Sequence, residues 1–152
     1  MRRHQAALAA CLITVSLTAA TQTAPGVTPG RWDSTGTVTA VEMPGMPPDA
    51  LAMMKRRPIN HSYCVTKADA ESGSKGLFSE GNGDCAYEKF AMANGRLNAA
   101  MLCKGPQGNA RLTMLGSYTA TTYETANITV MDGPQGKMRM TTKMRGKRVG
   151  DC

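Results

Sequence analysis

A chain of 152 residues with 41% apolar residues is long enough for one globular domain and too apolar for a disordered one. Its length excludes large α/β enzymes, and it lacks the repeated long apolar stretches of a multi-span membrane protein. Its 18 Lys and Arg outweigh 11 Asp and Glu for a net charge of +7, aromatics are scarce at 5%, and methionines number 12.

The N-terminus reads as an export address. Met1-Arg2-Arg3-His4 is cationic, Ala6 to Ala20 carries no charge, and Thr18-Ala19-Ala20 offers small residues for cleavage. That is the three-part pattern of a secretory signal. Its apolar core is too short for a membrane anchor, so no transmembrane segment is expected after cleavage. Leu8-Ala9-Ala10-Cys11 resembles a lipoprotein box, but almost no apolar segment precedes it. The expected organisation is a signal over 1–20, a flexible lead-in over 21–29 and one all-β domain over 30–152, in the periplasm or secreted. Cleavage removes Arg2, Arg3, His4 and Cys11, which lowers the net charge to +5 and leaves His61 as the remaining histidine. Cys64, Cys85, Cys103 and Cys152 stay, and four cysteines in an exported chain predict two disulfides.

Arg31 to Met43 is rich in Thr and Val and reads as a strand anchored by Trp32. Pro44-Gly45-Met46-Pro47-Pro48 breaks regular structure, Ala50 to Arg57 suits a brief helix that Pro58 ends, and Ile59 to Val65 reads as a short strand. Thr66 with Asp69 three residues on marks a helix start for Lys67 to Glu71. Ser72 to Gly83 reads as a Gly- and Ser-rich loop. Strands are then expected over Cys85–Met92, Arg96–Cys103, Arg111–Ala120, Thr125–Met131 and Met138–Val149. Gly-Pro-Gln-Gly occurs at Gly105 and again at Gly133, read as two similar turns rather than a repeat. Short connections favour antiparallel neighbours. The predicted fold is therefore an antiparallel meander of about seven strands, curved or closing into an incomplete barrel. Its buried face should hold Trp32, Val38, Leu97, Met101, Leu112, Met114, Tyr118, Ile128, Val130, Met138, Met140 and Met144.

Hairpin geometry tests the cysteine pairing. If Ala93-Asn94-Gly95 forms a three-residue loop, Met92 faces Arg96 and Cys85 faces Cys103. The same register places Cys85, Tyr87, Lys89, Ala91, Leu97, Ala99, Met101 and Cys103 on one face. A two-residue Asn94-Gly95 loop would offset the cysteines by one. Cys85–Cys103 is the expected bridge, and Cys64–Cys152 follows by elimination.

In the last strand Met138, Met140, Thr142 and Met144 alternate with Lys137, Arg139, Thr141, Lys143, Arg145 and Lys147. Such alternation buries one face and exposes the other. Lys137, Arg139, Lys143, Arg145 and Lys147 thus form a basic stripe, either an anion-binding surface for an envelope component or a solvated edge. Nucleic acid is disfavoured because no aromatics interleave the charges. Met43, Met46, Met53 and Met54, with His61, are an alternative set of soft ligands for copper. No cofactor motif appears, and Asn60-His61-Ser62 has no nucleophile elbow. Glu42, Glu80, Glu88 and Glu124 are scattered. Asn60-His61-Ser62 and Asn127-Ile128-Thr129 have the form of glycosylation sequons only. The expected role is non-catalytic: binding an apolar or amphiphilic small molecule, or an anionic envelope component.

Short motifs also occur in a familiar order: Pro29-Gly30-Arg31-Trp32, Met43-Pro44-Gly45-Met46-Pro47, Cys64-Val65-Thr66, Gly83-Asp84-Cys85, Gly133-Pro134 and Gly150-Asp151-Cys152. Together they resemble the domain of unknown function 3617 family of small exported proteobacterial proteins, over roughly Pro29 to Cys152. The resemblance implies an exported all-β protein and no particular activity, and it carries over no functional residues.

Overall fold

The computed structural model describes residues 26–72, 84–105, 108–133 and 136–152. The expected signal segment and most of the expected 72–83 loop lie outside them. The elements in chain order are β1 (Gly30–Glu42), α1 (Pro48–Arg56), β2 (Ile59–Val65), α2 (Lys67–Glu71), β3 (Asp84–Ala93), β4 (Arg96–Gly105), β5 (Gly108–Tyr118), β6 (Thr122–Gly133) and β7 (Gly136–Gly150). They form one open antiparallel sheet in the order β2-β1-β7-β6-β5-β4-β3. Strands β3 to β7 are the expected meander, and the β1–β2 pair docks on β7. The basic last strand is therefore interior to the sheet rather than at its edge.

The two helices follow their local chemistry. Pro48 opens α1 where no amide partner is needed, Asp49 sits in its first turn, and Lys55 and Arg56 in its last. α1 packs against β1, whose second half has no β2 partner. Thr66 caps α2 by a reciprocal box: its hydroxyl accepts from the Asp69 amide at 3.1 Å while its own amide donates to Asp69 Oδ2 at 3.0 Å. The Thr66 hydroxyl, then its amide, hold the Asp69 carboxyl below the ordinary carboxylate range.

One face of the sheet is the core face. At one end Trp32, Val65, Tyr118 and Tyr123 cluster with Val27. Leu97, Ala99, Met101 and Met114 form a second cluster, and Met92 packs against both. Trp32 and Tyr123 stack at 6.0 Å although β7 lies between their strands. They meet because β7 presents Gly146 there: a Cβ at that position would lie 2.0 Å from the Tyr123 ring. The Tyr123 hydroxyl is 2.7 Å from Ser34 Oγ and accepts from Tyr63 at 3.2 Å, so these hydroxyls satisfy one another.

Two expectations about facing are corrected. The β3–β4 loop has two residues, Asn94 and Gly95, both at positive φ, and Met92 pairs with Leu97. A bulge between Tyr87 and Lys89 then restores the register, so that Cys85 does face Cys103. The bulge moves Lys89 and Ala91 off the core face and puts Phe90 and Met92 there, which spares a buried ammonium. In β6, Tyr118 pairs with Tyr123, which places Tyr123, Thr125, Asn127, Thr129 and Met131 on the core face. Ile128 and Val130 consequently sit on the outer face. Burial of the Tyr123 ring and its hydroxyl partners fixes this phase.

Both expected disulfides form. Cys64–Cys152 has a Cα separation of 5.9 Å and Cys85–Cys103 one of 4.0 Å. Both Gly-Pro-Gln-Gly segments join strands, with Gly105 paired to Gly108 and Gly133 to Gly136.

Tyr87, on the core face beside Phe90 at 5.1 Å, supplies a pH signature. Burial pushes its phenol up to about 12. An unfolded phenol ionises near ~10, so below that pH both states are neutral and Tyr87 contributes nothing. Between about 10 and about 12 only the unfolded state loses its proton, so stability falls as pH rises through this window. Urea midpoints measured at about pH 9 and about pH 11 should show this drop in the wild type and a smaller drop in Tyr87→Phe.

Candidate functional site

The outer face is built by residues that alternate with the core. On β7 it carries Lys137, Arg139, Thr141, Lys143, Arg145 and Lys147. The register divides the stripe in two. At one end Arg139 is flanked by Glu42 on β1, and Lys137 is opposite Asp132 on β6, with an N–O separation of 3.6 Å. Each of these cations has a carboxylate neighbour, and that end is close to neutral.

The other end differs. Arg145 pairs with Glu124 at 3.1 Å, and Lys147 is opposite Asp33, whose carboxylate accepts from Ser62 at 2.7 Å. Lys143 lies between Thr37 and Ala126, with no acidic neighbour in register. Two open depressions occupy this end. One, of about 640 Å³, is lined by Asp33, Thr35, Ser117, Glu124, Arg145, Lys147 and Val149 among others. The second, of about 340 Å³, adjoins it at Ser117, Glu124 and Arg145 and adds Arg96, Leu115, Ala126 and Lys143. Volumes of this order are those of small-molecule sites.

An apolar strip lies beside these cations. Leu115 on β5 is opposite Ala126 on β6, Thr113 is opposite Ile128, and Ala100 on β4 is opposite Thr113. The result is a strip of Leu115, Ala126 and Ile128 running from the depressions along β6 beside Lys143 and Thr141. Leu115 is 51% exposed and Val149 42%, and both line the depressions. An ammonium and guanidinium border around an exposed aliphatic strip suits a ligand with an acidic head and an apolar body. The exposed Arg145–Glu124 pair contributes little to stability, so an acidic head can take the place of Glu124 on Arg145.

Of the residues expected to bind anions, the structure brings Lys143, Arg145 and Lys147 into the depressions and leaves Lys137 and Arg139 outside them. Arg96, Leu115, Ala126, Ile128 and Val149 were not expected there. Val149 continues β7's own alternation, whereas Ala126 and Ile128 depend on the phase of β6, and Arg96 and Leu115 on those of β4 and β5, which β7's alternation does not set. The scattered acids also have a place: Glu42 and Glu124 each lie across from a cation, and Glu88 reaches over β4 to Arg111, 2.9 Å away. Glu80 lies outside the described residues.

The candidate copper ligands are spread along β1. His61 pairs with Ser34 and stacks on Tyr63 at 5.5 Å, whereas Met43 follows the other end of the strand. About 30 Å of extended chain separates Ser34 from Met43. Met53 is largely exposed on α1, Met54 is half-buried, and Met46 lies in the turn whose amide donates to Met43 O at 3.4 Å. Among the described residues no helix is long and apolar enough to cross a membrane.

The fold and site define a class: a single open antiparallel sheet, clamped by two disulfides of the kind an oxidising compartment sustains, with an amphiphilic outer face. The chain belongs to the DUF3617 family of proteins of unknown function, whose family model matches residues 27–152. Searches of curated proteins and of solved structures found no match.

Proposed function

We propose that this is a non-catalytic binding protein, periplasmic or secreted, that holds an anionic amphiphile of the cell envelope on the outer face of its sheet. The observation that carries this reading is the pair of adjoining depressions in which Lys143, Arg145, Lys147 and Arg96 surround the exposed Leu115 and Val149. The head group meets the cations and the apolar body lies along Leu115, Ala126 and Ile128. The signal-like N-terminus and the disulfides support an exported location.

Co-sedimentation with anionic phosphatidylglycerol vesicles tests it. Each Lys or Arg near an anionic surface contributes ~1 kcal/mol, so Lys143→Glu with Lys147→Glu should lower binding at least about tenfold at low salt. High salt should weaken the wild type as well. Leu115→Ser should lower the part of binding that salt leaves intact. Lys137→Glu with Arg139→Glu should have the smaller effect, because these two cations lie toward the other end of β7, outside both depressions. If the wild type stays in the supernatant at low salt, or both charge-reversed pairs lose binding equally, the reading is wrong.

A further inference from the structure

Methionines collect at one end of the core face, beyond both buried clusters. Met131 on β6 pairs with Met138 on β7. On the other side of β7, Val41 pairs with Met140 and Glu42 with Arg139, so the next residue, Met43, falls beside Met138. Val41 is buried on the core face, and Met43, two residues on, shares that face. The chain stays against β7 after the strand, since a Cβ at Gly136 would lie 3.5 Å from the Pro44 ring. Met43, Met138 and Met131 therefore form one row across three neighbouring strands. Met140 is at the next core-facing position of β7, and the Met46 amide donates to Met43 O at 3.4 Å, which turns the chain back beside the row.

Burial sets these methionines apart. Met101 and Met114 belong to a buried cluster, and Met92 and Met144 pack against one. Met43, Met46, Met131, Met138 and Met140 are all half-buried and belong to neither cluster. Glu42, Asp132, Lys137 and Arg139 alternate with them onto the outer face, so the row itself carries no charge. Adjacent strands lie about 4.8 Å apart, and methionine is long and unbranched, so thioethers from a row can converge on one ion. Such soft, neutral ligands suit Cu(I). The four cysteines are held in disulfides and offer no competing thiolate. We infer that Met43, Met131 and Met138 hold a single Cu(I) ion, with Met46 and Met140 beside it. His61, paired with Ser34 far along β1, and Met53, exposed on α1, have no part in this site. It lies on the opposite face of the sheet from the cation-bordered depressions and does not depend on what they bind.

Titration of the oxidised protein with Ag(I), a redox-inert substitute for Cu(I), tests the site without a reductant that would open the disulfides. In spectra of protein carrying isotopically labelled methionine methyl groups, the signals of Met43, Met131 and Met138 should move together and saturate at one equivalent. Those of Met101 and Met114 should stay in place. Cu(I) supplied with ascorbate should be retained at the same stoichiometry against a chromophoric chelator. Met131→Leu with Met138→Leu conserves volume and should abolish that retention with thermal unfolding unchanged. Met53→Leu with His61→Gln should leave it intact. The wild-type methyl spectra decide the question whether or not the leucine variant folds. Methyl shifts confined to other methionines, no shift at one equivalent, or full retention of Cu(I) by the folded leucine variant overturns the inference.

Discussion

Replacing Cys64 and Cys152 by serine should lower the free energy of unfolding by ~4.5 kcal/mol, against ~3 kcal/mol for Cys85 and Cys103. The difference comes from the chain that each bridge closes. Cys64–Cys152 spans 88 residues and Cys85–Cys103 spans 18. A longer loop removes more freedom from the unfolded chain. The native contacts act in the same direction. Cys85 and Cys103 join strands already paired through a tight turn, whereas Cys64–Cys152 links β2 to the end of β7, and β1 lies between them. It therefore clamps the strand that carries Trp32. Domains of this size are stable by about 5–15 kcal/mol, so the first variant should approach the limit of folding at physiological temperature. Urea unfolding of the two double-serine variants measures both losses. Equal losses would mean that native strain or residual unfolded structure, rather than loop length, governs these bridges.

The parts of this fold that were legible in the sequence are those set by local chemistry. Thr66 and Asp69 fix the start of α2, Pro58 ends α1, and the alternation in β7 orients it correctly, whereas Pro48, read as irregular chain, is the first residue of α1. The pairing of Cys85 with Cys103 was also legible, although by a different route from the one expected. The sequence reading put the extra residue in the loop, whereas the chain has it at Glu88. Either placement brings the cysteines together, but only the bulge keeps Lys89 out of the core. Such a choice is decided by the cost of burying a charge across strands, and no window of a few residues contains it. The same holds for β6. Ile128 and Val130 are the most apolar residues of that strand, and an outward phase for them follows only once Tyr123 is seen stacked on Trp32. The candidate site was half legible for this reason: its cations were plain in β7, and its apolar floor depended on a phase set at the other end of β6.

That same contact yields the sharpest test of how the core is organised. Gly146→Ala adds one methyl group on the core face of β7, where it would fall within 2.0 Å of the Tyr123 ring. The ring is 6% exposed, it stacks on Trp32, and its hydroxyl holds Ser34 and Tyr63, so it has little room to give. Overpacking of this kind costs about 1–3 kcal/mol. If the ring swings away, the buried Ser34 hydroxyl loses its partner at a further cost of about 1–3 kcal/mol. The expected loss for Gly146→Ala is therefore about 2–6 kcal/mol, large for a single methyl group. The penalty belongs to the pair, not to the glycine. In a Tyr123→Leu background, where no ring lies over β7, adding Gly146→Ala should cost under about 1 kcal/mol, a strong departure from additivity. Thermal and urea unfolding of the two single variants and the double variant complete the cycle. Additive losses would show that Gly146 is needed for the strand backbone itself rather than for the passage of Tyr123 across it.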